Sequence, residues 1–265
     1  MAKKEFKYVF GPVYSWRLGV SVGIDPISNK DKICNFDCVY CQLGPTKIKT
    51  NERKVFVPTE EIIAEVNSFP VKEFDYYTIS SRGEPTLALN LGGIIAGIKK
   101  AKKGKIAVIT NSSLMNREDV RKDLSHADFV LAKLDADGEK AFEKINRPDK
   151  SISFNDTVEG IKLFRNEFRG RLALQVMFIN NNRKIADYIA LIAKEIRPDQ
   201  LQVNTPLRPS GCKPLNMNDL RQISQRFKGF PVVSVYDKTH KDIKPVSDGK
   251  TALRHGNIRK LRRKK

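Results

Sequence analysis

The sequence predicts an α/β protein, a partial (β/α)6 barrel of the TIM type with a short basic C-terminal extension. Short β-branched runs alternate with longer amphipathic stretches, and no repeat or low-complexity linker interrupts the alternation. With 265 residues, 40% of them hydrophobic and 30% charged, the chain is long enough to bury one large core. One barrel domain is expected over residues 1–237, followed by an irregular basic tail over residues 238–265.

The expected strands are residues 20–25, 75–80, 105–110, 128–134, 172–178 and 200–204. Helices are expected between them at 59–67, 91–102, 117–124, 138–144, 155–168 and 184–196. A further helix near 217–227 and a strand at 231–236 extend the sheet. Pro58-Thr59-Glu60-Glu61 and Ser153-Phe154-Asn155-Asp156 read as helix starts, because hydroxyl or amide caps precede first-turn carboxylates. Six parallel β/α units make an open barrel whose site lies at the carboxyl ends of its strands. Residues at those ends are therefore the ones to inspect for chemistry.

The chain has 49 Lys and Arg against 30 Asp and Glu, a formal charge of +19, which favours a polyanionic partner through counterion release. Eight of the cations follow Asp248 with no acidic residue between them, and without these the rest of the chain still carries +11. No apolar run approaches the roughly 18 residues needed to cross a bilayer, and Met1-Ala2-Lys3-Lys4-Glu5 lacks the apolar stretch of a signal peptide. The expectation is a cytoplasmic monomer that does not enter a membrane.

Three of the four cysteines, Cys34, Cys38 and Cys41, fall within eight residues at C-x3-C-x2-C spacing. That layout is poor for stapling distant segments with disulfides and suits metal in a reducing compartment. Three thiolates leave one position open. A structural zinc site takes four protein ligands and would have to recruit Cys212, His126, His240 or His255; the result would be a zinc-stabilised, non-catalytic RNA-binding protein. An iron-sulfur cluster held by three thiolates keeps one iron free for a cofactor or substrate.

The octet Cys34-Asn35-Phe36-Asp37-Cys38-Val39-Tyr40-Cys41, with Tyr40 before the last cysteine, resembles the signature of the radical S-adenosylmethionine superfamily. The resemblance implies a 4Fe-4S cluster on the three cysteines, with S-adenosyl-L-methionine chelating the open iron. It further implies reductive cleavage of that cofactor to a 5′-deoxyadenosyl radical that takes hydrogen from substrate, with an electron donor such as ferredoxin or flavodoxin. Ser80-Ser81-Arg82-Gly83-Glu84-Pro85-Thr86 is similar to the family's Gly-Gly-Glu motif, with Arg82 at the first glycine, so Gly83 and Glu84 are carried over as cofactor-binding. Tyr40, Asn111, Asp135, Gln175 and Asn204 complete the implied cofactor site, Asp135 toward the ribose and Gln175 toward the adenine. Lys133 is a substrate or carboxylate contact. Arg17, beside Trp16, could clamp an anionic or planar group by charge and stacking. Lys133 and Arg17 are the candidates for a catalytic role.

Phe10-Gly11-Pro12-Val13-Tyr14-Ser15-Trp16-Arg17-Leu18-Gly19, Gly23-Ile24-Asp25-Pro26, Lys133-Leu134-Asp135-Ala136 and Asn204-Thr205-Pro206-Leu207-Arg208-Pro209 narrow the likeness. They resemble the branch containing wyosine-type transfer-RNA synthetases, which modify a guanine beside an anticodon. Those enzymes carry a second cluster on upstream cysteines, and the 33 residues before Cys34 contain none. The resemblance thus implies a compact, single-cluster relative acting on tRNA or other RNA, with a peptide or small metabolite as the next substrate class.

Overall fold

The computed structural model describes residues 6–71, 73–101, 104–237 and 243–255. Its strands in chain order are β1 (Val9–Ser15), β2 (Gly19–Ile24), β3 (Ile33–Cys34), β4 (Ile48–Lys49), β5 (Tyr76–Ile79), β6 (Lys105–Thr110), β7 (Phe129–Lys133), β8 (Arg171–Met177), β9 (Gln200–Asn204) and β10 (Val232–Ser234). The helices are α1 (Thr59–Ser68), α2 (Leu91–Ala101), α3 (Glu118–Ser125), α4 (Glu139–Ile145), α5 (Phe154–Glu167), α6 (Ala186–Ile196), α7 (Met217–Ser224) and α8 (Asp248–His255).

Eight strands form one open sheet in the order β1-β2-β5-β6-β7-β8-β9-β10. From β2 to β9 every neighbouring pair is parallel, which yields the six expected units of a partial barrel. β10 adds a parallel strand beyond β9, and β1 adds an antiparallel one beside β2. The sequence does not announce β1, because Gly11 and Pro12 interrupt it and read as a turn. They are accommodated by a register shift between Phe10 and Val13, on an edge strand where proline is tolerated.

Alternation along the strands separates two apolar layers. Val22, Ile24, Ile79, Val108, Val130, Leu172, Leu174, Val176, Leu201 and Val203 face the helices and merge with Ile94, Ile95, Ile161 and Ile189 into the main core. Ala107, Phe129, Leu131 and Ala173 face the other way and pack with Leu18 as a small inner floor. Two residues further along those inner faces stand Lys133 on β7 and Gln175 on β8. The inside of the barrel is therefore apolar at its base and polar toward the strand ends.

The two expected helix starts behave differently. Ser153 caps α5 as expected, its Oγ accepting from the Asp156 amide at 3.0 Å. At α1 the cap residue is Pro58, which offers no side-chain bond, and Thr59 Oγ1 instead accepts from Asn90 Nδ2 at 2.9 Å.

The C-terminal segment also departs from expectation. Where an irregular tail was expected, residues 248–255 form α8, whose Thr251 Oγ1 accepts from the Gly11 amide at 3.2 Å. The Arg254 Nε lies 2.9 Å from Asp25 Oδ2, with the Asp25 side chain wholly enclosed, and Arg254 Nη2 donates to the Lys7 carbonyl at 2.6 Å. This cation is thus spent on the end of β2 and does not belong to a free basic arm. The remainder of the expected tail, 238–242 and 256–265, lies outside the described residues.

Removing one partner of a buried ion pair leaves the other charge stranded. Arg254→Met should lower unfolding free energy by about 3–5 kcal/mol in urea titrations, and adding Asp25→Asn should recover part of the loss.

Candidate active site

The cysteine-bearing loop leaves β2, pairs briefly as β3 with β4, and is clasped to the loop after β5 by main-chain bonds. Ile33 N donates to Arg82 O at 3.1 Å, and Glu84 N donates to Ile33 O at 3.2 Å. The clasp needs Gly83 at φ +149°, where any Cβ would overlap the Ile33 carbonyl. On its other side the loop is tied by Asp37 N to Asn146 O at 3.0 Å and by Val39 N to Ile145 O at 3.0 Å. Asn35, fully buried, accepts from Asn111 Nδ2 at 2.7 Å and donates to Ser113 Oγ at 2.7 Å, joining the loop to the end of β6.

These ties place Cys34, Cys38, Cys41, Tyr40, Gly83, Glu84, Asn111 and Lys133 around one cavity of about 150 Å³. Burial, then the charges of Glu84 and Cys38, push the Cys34 thiol well above its ordinary range. Burial, then Asp135, pushes Cys38 up to about 11. Left alone, these thiols would stay protonated; coordination to iron is what deprotonates such groups. The surroundings fit that outcome. Asn146 Nδ2 points at Cys38 Sγ from 3.5 Å, Asn111 Nδ2 at Cys34 Sγ from 3.8 Å, and Phe36 N at Cys34 Sγ from 3.4 Å. The ammonium of Lys32, buried in the same wall, donates to Gly44 O at 3.0 Å. Burial lowers its pKa, and Cys41, Cys34 and Cys38 in the thiolate form that coordination imposes raise it more. Ser81 Oγ, also in the cavity wall, is buried without a partner. Such a set of sulfur-directed donors and one unspent hydroxyl suits a thiolate-bound cluster with a polar ligand beside it.

Residues 30–192 match the family model described as the radical SAM superfamily. The chain belongs to the radical SAM superfamily. It is an enzyme of that class, whose members bind a 4Fe-4S cluster and S-adenosylmethionine. It is 42% identical over 212 residues to a UPF0026 protein of Synechocystis, covering 79% of this chain and 78% of that one. A UPF0026 protein of Methanocaldococcus jannaschii is 40% identical over 211 residues, covering 77% of this chain and 65% of its own length. Among solved structures, TYW1 with a lysine-pyruvate adduct bound shares the fold, with a TM-score of 0.57 over 81% of this chain and 76% of that one at 14% identity.

The radical SAM cavity does not take in every residue expected there. Asp135 lies behind Tyr40, and its carboxylate is already occupied: Tyr40 Oη donates to Oδ2, Asn146 Nδ2 to Oδ2 at 3.1 Å, and the Met177 amide to Oδ1 at 2.7 Å. In this arrangement Asp135 orients Tyr40. Lys133 sits 3.4 Å from Asp135 Oδ1 and 4.9 Å over the Tyr40 ring, so its charge is shared between the carboxylate and the ring face. Glu84 is similarly engaged, accepting from Thr110 Oγ1 at 2.6 Å and from the Asn111 amide at 2.7 Å. Gln175 donates to Gln202 Oε1 at 3.0 Å, and Asn204 Oδ1 accepts from the Thr205 amide at 2.8 Å. Arg17 is apart from the cysteine cavity. Cys212 stays a free thiol that donates to Val39 O at 3.4 Å across the cysteine loop.

Two participants escaped the sequence reading. Lys32, two positions before Cys34, was legible as a cation beside thiolates. Asn146 carries no local signal, since only the fold brings it from beyond α4 to Cys38.

A methyl group at position 83 would both strain the backbone and push Ile33 away. Gly83→Ala should cost about 1–3 kcal/mol from backbone strain alone. It should also reduce iron retained after anaerobic reconstitution, measured against protein concentration.

Proposed function

We propose that Cys34, Cys38 and Cys41 ligate the 4Fe-4S cluster, that Gly83, Glu84 and Asn111 border its S-adenosylmethionine, and that the enzyme modifies RNA, with tRNA as the substrate. The observation that carries the first part is the convergence of the three cysteines with those strand-end residues on one cavity. Together the two cofactors supply hydrogen-atom abstraction from an unactivated carbon. The protein's share is positioning. Asn111 and Asn146 direct amide hydrogens at sulfur, Lys32 offsets thiolate charge, and Asp135 with Asn146 holds the Tyr40 hydroxyl, which fixes the ring beside Cys38. Gly83 brings main chain close to the cysteine loop, and the Ser81 hydroxyl remains available to a polar ligand.

Two features support RNA: the formal charge of +19, and the motifs similar to wyosine-type synthetases, which run from Phe10 to Pro209. A low-potential donor of the ferredoxin or flavodoxin kind would deliver the electron. Four free cysteines, three of them assigned to a cluster, fit a reducing compartment, and so the cytoplasm. Among the described residues no helix is long and apolar enough to cross a membrane.

Anaerobic reconstitution should load about four irons per chain, and reduction in the presence of the cofactor should release 5′-deoxyadenosine; Cys34→Ala, Cys38→Ala and Cys41→Ala should each abolish both. Stoichiometric zinc with no cofactor cleavage would instead establish the non-catalytic reading. For the substrate, tRNA affinity should fall steeply between low and moderate salt, as counterion release demands. Affinity independent of salt, together with unchanged tRNA nucleosides in cells lacking the gene, would turn attention to a peptide or metabolite.

A further inference from the structure

A substrate has to enter the cavity on one side of the cysteine loop to meet the cofactor. The electron that starts the reaction has to arrive from outside, and because its transfer slows steeply with distance, it needs a protein surface close to the cysteines. The outer side of the loop provides one.

β4 pairs in parallel with β3, and its Lys49 is the register partner of Cys34. Neighbouring strands lie about 4.8 Å apart, so the Cys34 main chain is one strand beneath the exposed residues of β4. Ile48 N donates to Lys32 O at 3.1 Å, Thr50 N to Cys34 O at 3.4 Å, Thr46 N to Asp37 Oδ1 at 2.7 Å and Thr46 Oγ1 to Phe36 O at 2.6 Å. These bonds lay residues 46–50 along the first half of the cysteine loop. None of residues 45–51 lines the cavity.

The loop after α4 completes the surface. Lys49 Nζ donates to Arg147 O at 3.1 Å and to Pro148 O at 3.3 Å, and Asn51 Nδ2 donates to Ser151 Oγ at 2.6 Å. Asp37 N, next to Cys38, donates to Arg147 O at 3.1 Å. Both segments are thereby fastened to the cysteine loop and to each other.

This surface is cationic. Lys47, Lys49, Arg147 and Lys150 are all exposed. Lys47 and Lys150 have no partner among the described residues, and Arg147 reaches only Asp37, at 3.8 Å, with its side chain 58% exposed. Residues 45–51 contain no acidic side chain, and residues 147–151 contain only Asp149, whose Oδ1 accepts from the Ser151 amide at 3.1 Å and from Ser151 Oγ at 2.9 Å. Beside these cations Ile48 is 43% exposed. Neither segment holds an aromatic ring on which a base could stack, so an aliphatic contact among cations suits an acidic protein rather than a nucleic acid strand.

We propose that β4 and the loop after α4, through Lys47, Ile48, Lys49, Arg147 and Lys150, form the docking surface for an acidic one-electron carrier protein. One electron passes from the reduced carrier to the cluster through the outer side of the cysteine loop; the carrier is oxidised by one electron, and no bond or proton is exchanged. The proposal rests on the enzymatic reading above and deepens it, since it gives the donor a surface apart from the cavity that substrate must enter. Encounters of this kind are small and steered by charge, so their affinity falls with salt.

The anaerobic, cluster-loaded protein is titrated with a flavodoxin and separately with a low-potential ferredoxin, both of acidic surface, by calorimetry at low and at moderate salt. At least one carrier should bind, more weakly as salt rises, and in Lys47→Glu/Arg147→Glu its affinity should drop about tenfold or more. Dithionite bypasses the carrier, so the variant should form 5′-deoxyadenosine with dithionite at the rate of the unaltered protein and lose only carrier-driven formation. Circular dichroism and iron content check each variant, and if the double variant is not folded, Lys47→Glu alone decides. Failure of both carriers to bind, carrier affinity unchanged in the variant, or a loss of tRNA affinity as large as the loss of carrier affinity overturns the proposal. Carrier binding that follows the prediction, without 5′-deoxyadenosine formation even with dithionite, would count against the enzymatic reading alone.

Discussion

The clasp between Ile33 and the loop after β5 is the contact on which the rest of the site depends. Two main-chain bonds, Ile33 N to Arg82 O and Glu84 N to Ile33 O, register the start of the cysteine loop against the sheet. Gly83 makes them possible, because its backbone runs where a side chain cannot fit. Once that register is set, Cys34 faces the ends of β5 and β6, and Asn35 can reach Asn111 and Ser113. The far end of the loop is then held by Ile145 and Asn146, so Cys38 and Tyr40 are positioned by a different part of the barrel from Cys34.

Electrostatics divide the interior into two regions. Around the cysteines, anionic groups predominate. Glu84 and Asp135 are both buried, and each is saturated by hydrogen-bond donors, with Lys32 and Lys133 as nearby cations. Away from the cysteine cavity, the buried guanidinium of Arg17 lies over the Trp16 ring, its Nε unmatched among the described residues. The α8 helix contributes indirectly, since Arg254 neutralises Asp25 at the end of β2, close to where the cysteine loop departs.

The hydrophobic pattern was enough for the six parallel units, because each strand buries its alternate residues against helices and each helix has a continuous apolar stripe. β1 was hidden by Gly11 and Pro12, whose local turn preference is overridden by pairing with β2 and by packing against α8. The α8 helix was hidden by its charge, since a run of cations reads as solvated until a buried partner such as Asp25 is known.

The sequence by itself determined the class of chemistry. Cys34, Cys38, Cys41 and Tyr40 are close in the chain, so their joint meaning survives without a fold. Gly83 and Glu84 are adjacent to each other and announce a turn at a strand end. What only the tertiary structure decided is which polar groups are already spent: Asp135 on Tyr40, Glu84 on Thr110 and Asn111, Arg254 on Asp25, and Arg17 on none of the described carboxylates. Partners of this kind can lie far apart in sequence, as Asn146 with Asp135 and Arg254 with Asp25 illustrate at separations of 11 and 229. The free energy of a buried polar group depends on the partner it meets, and that meeting is a property of the folded chain alone.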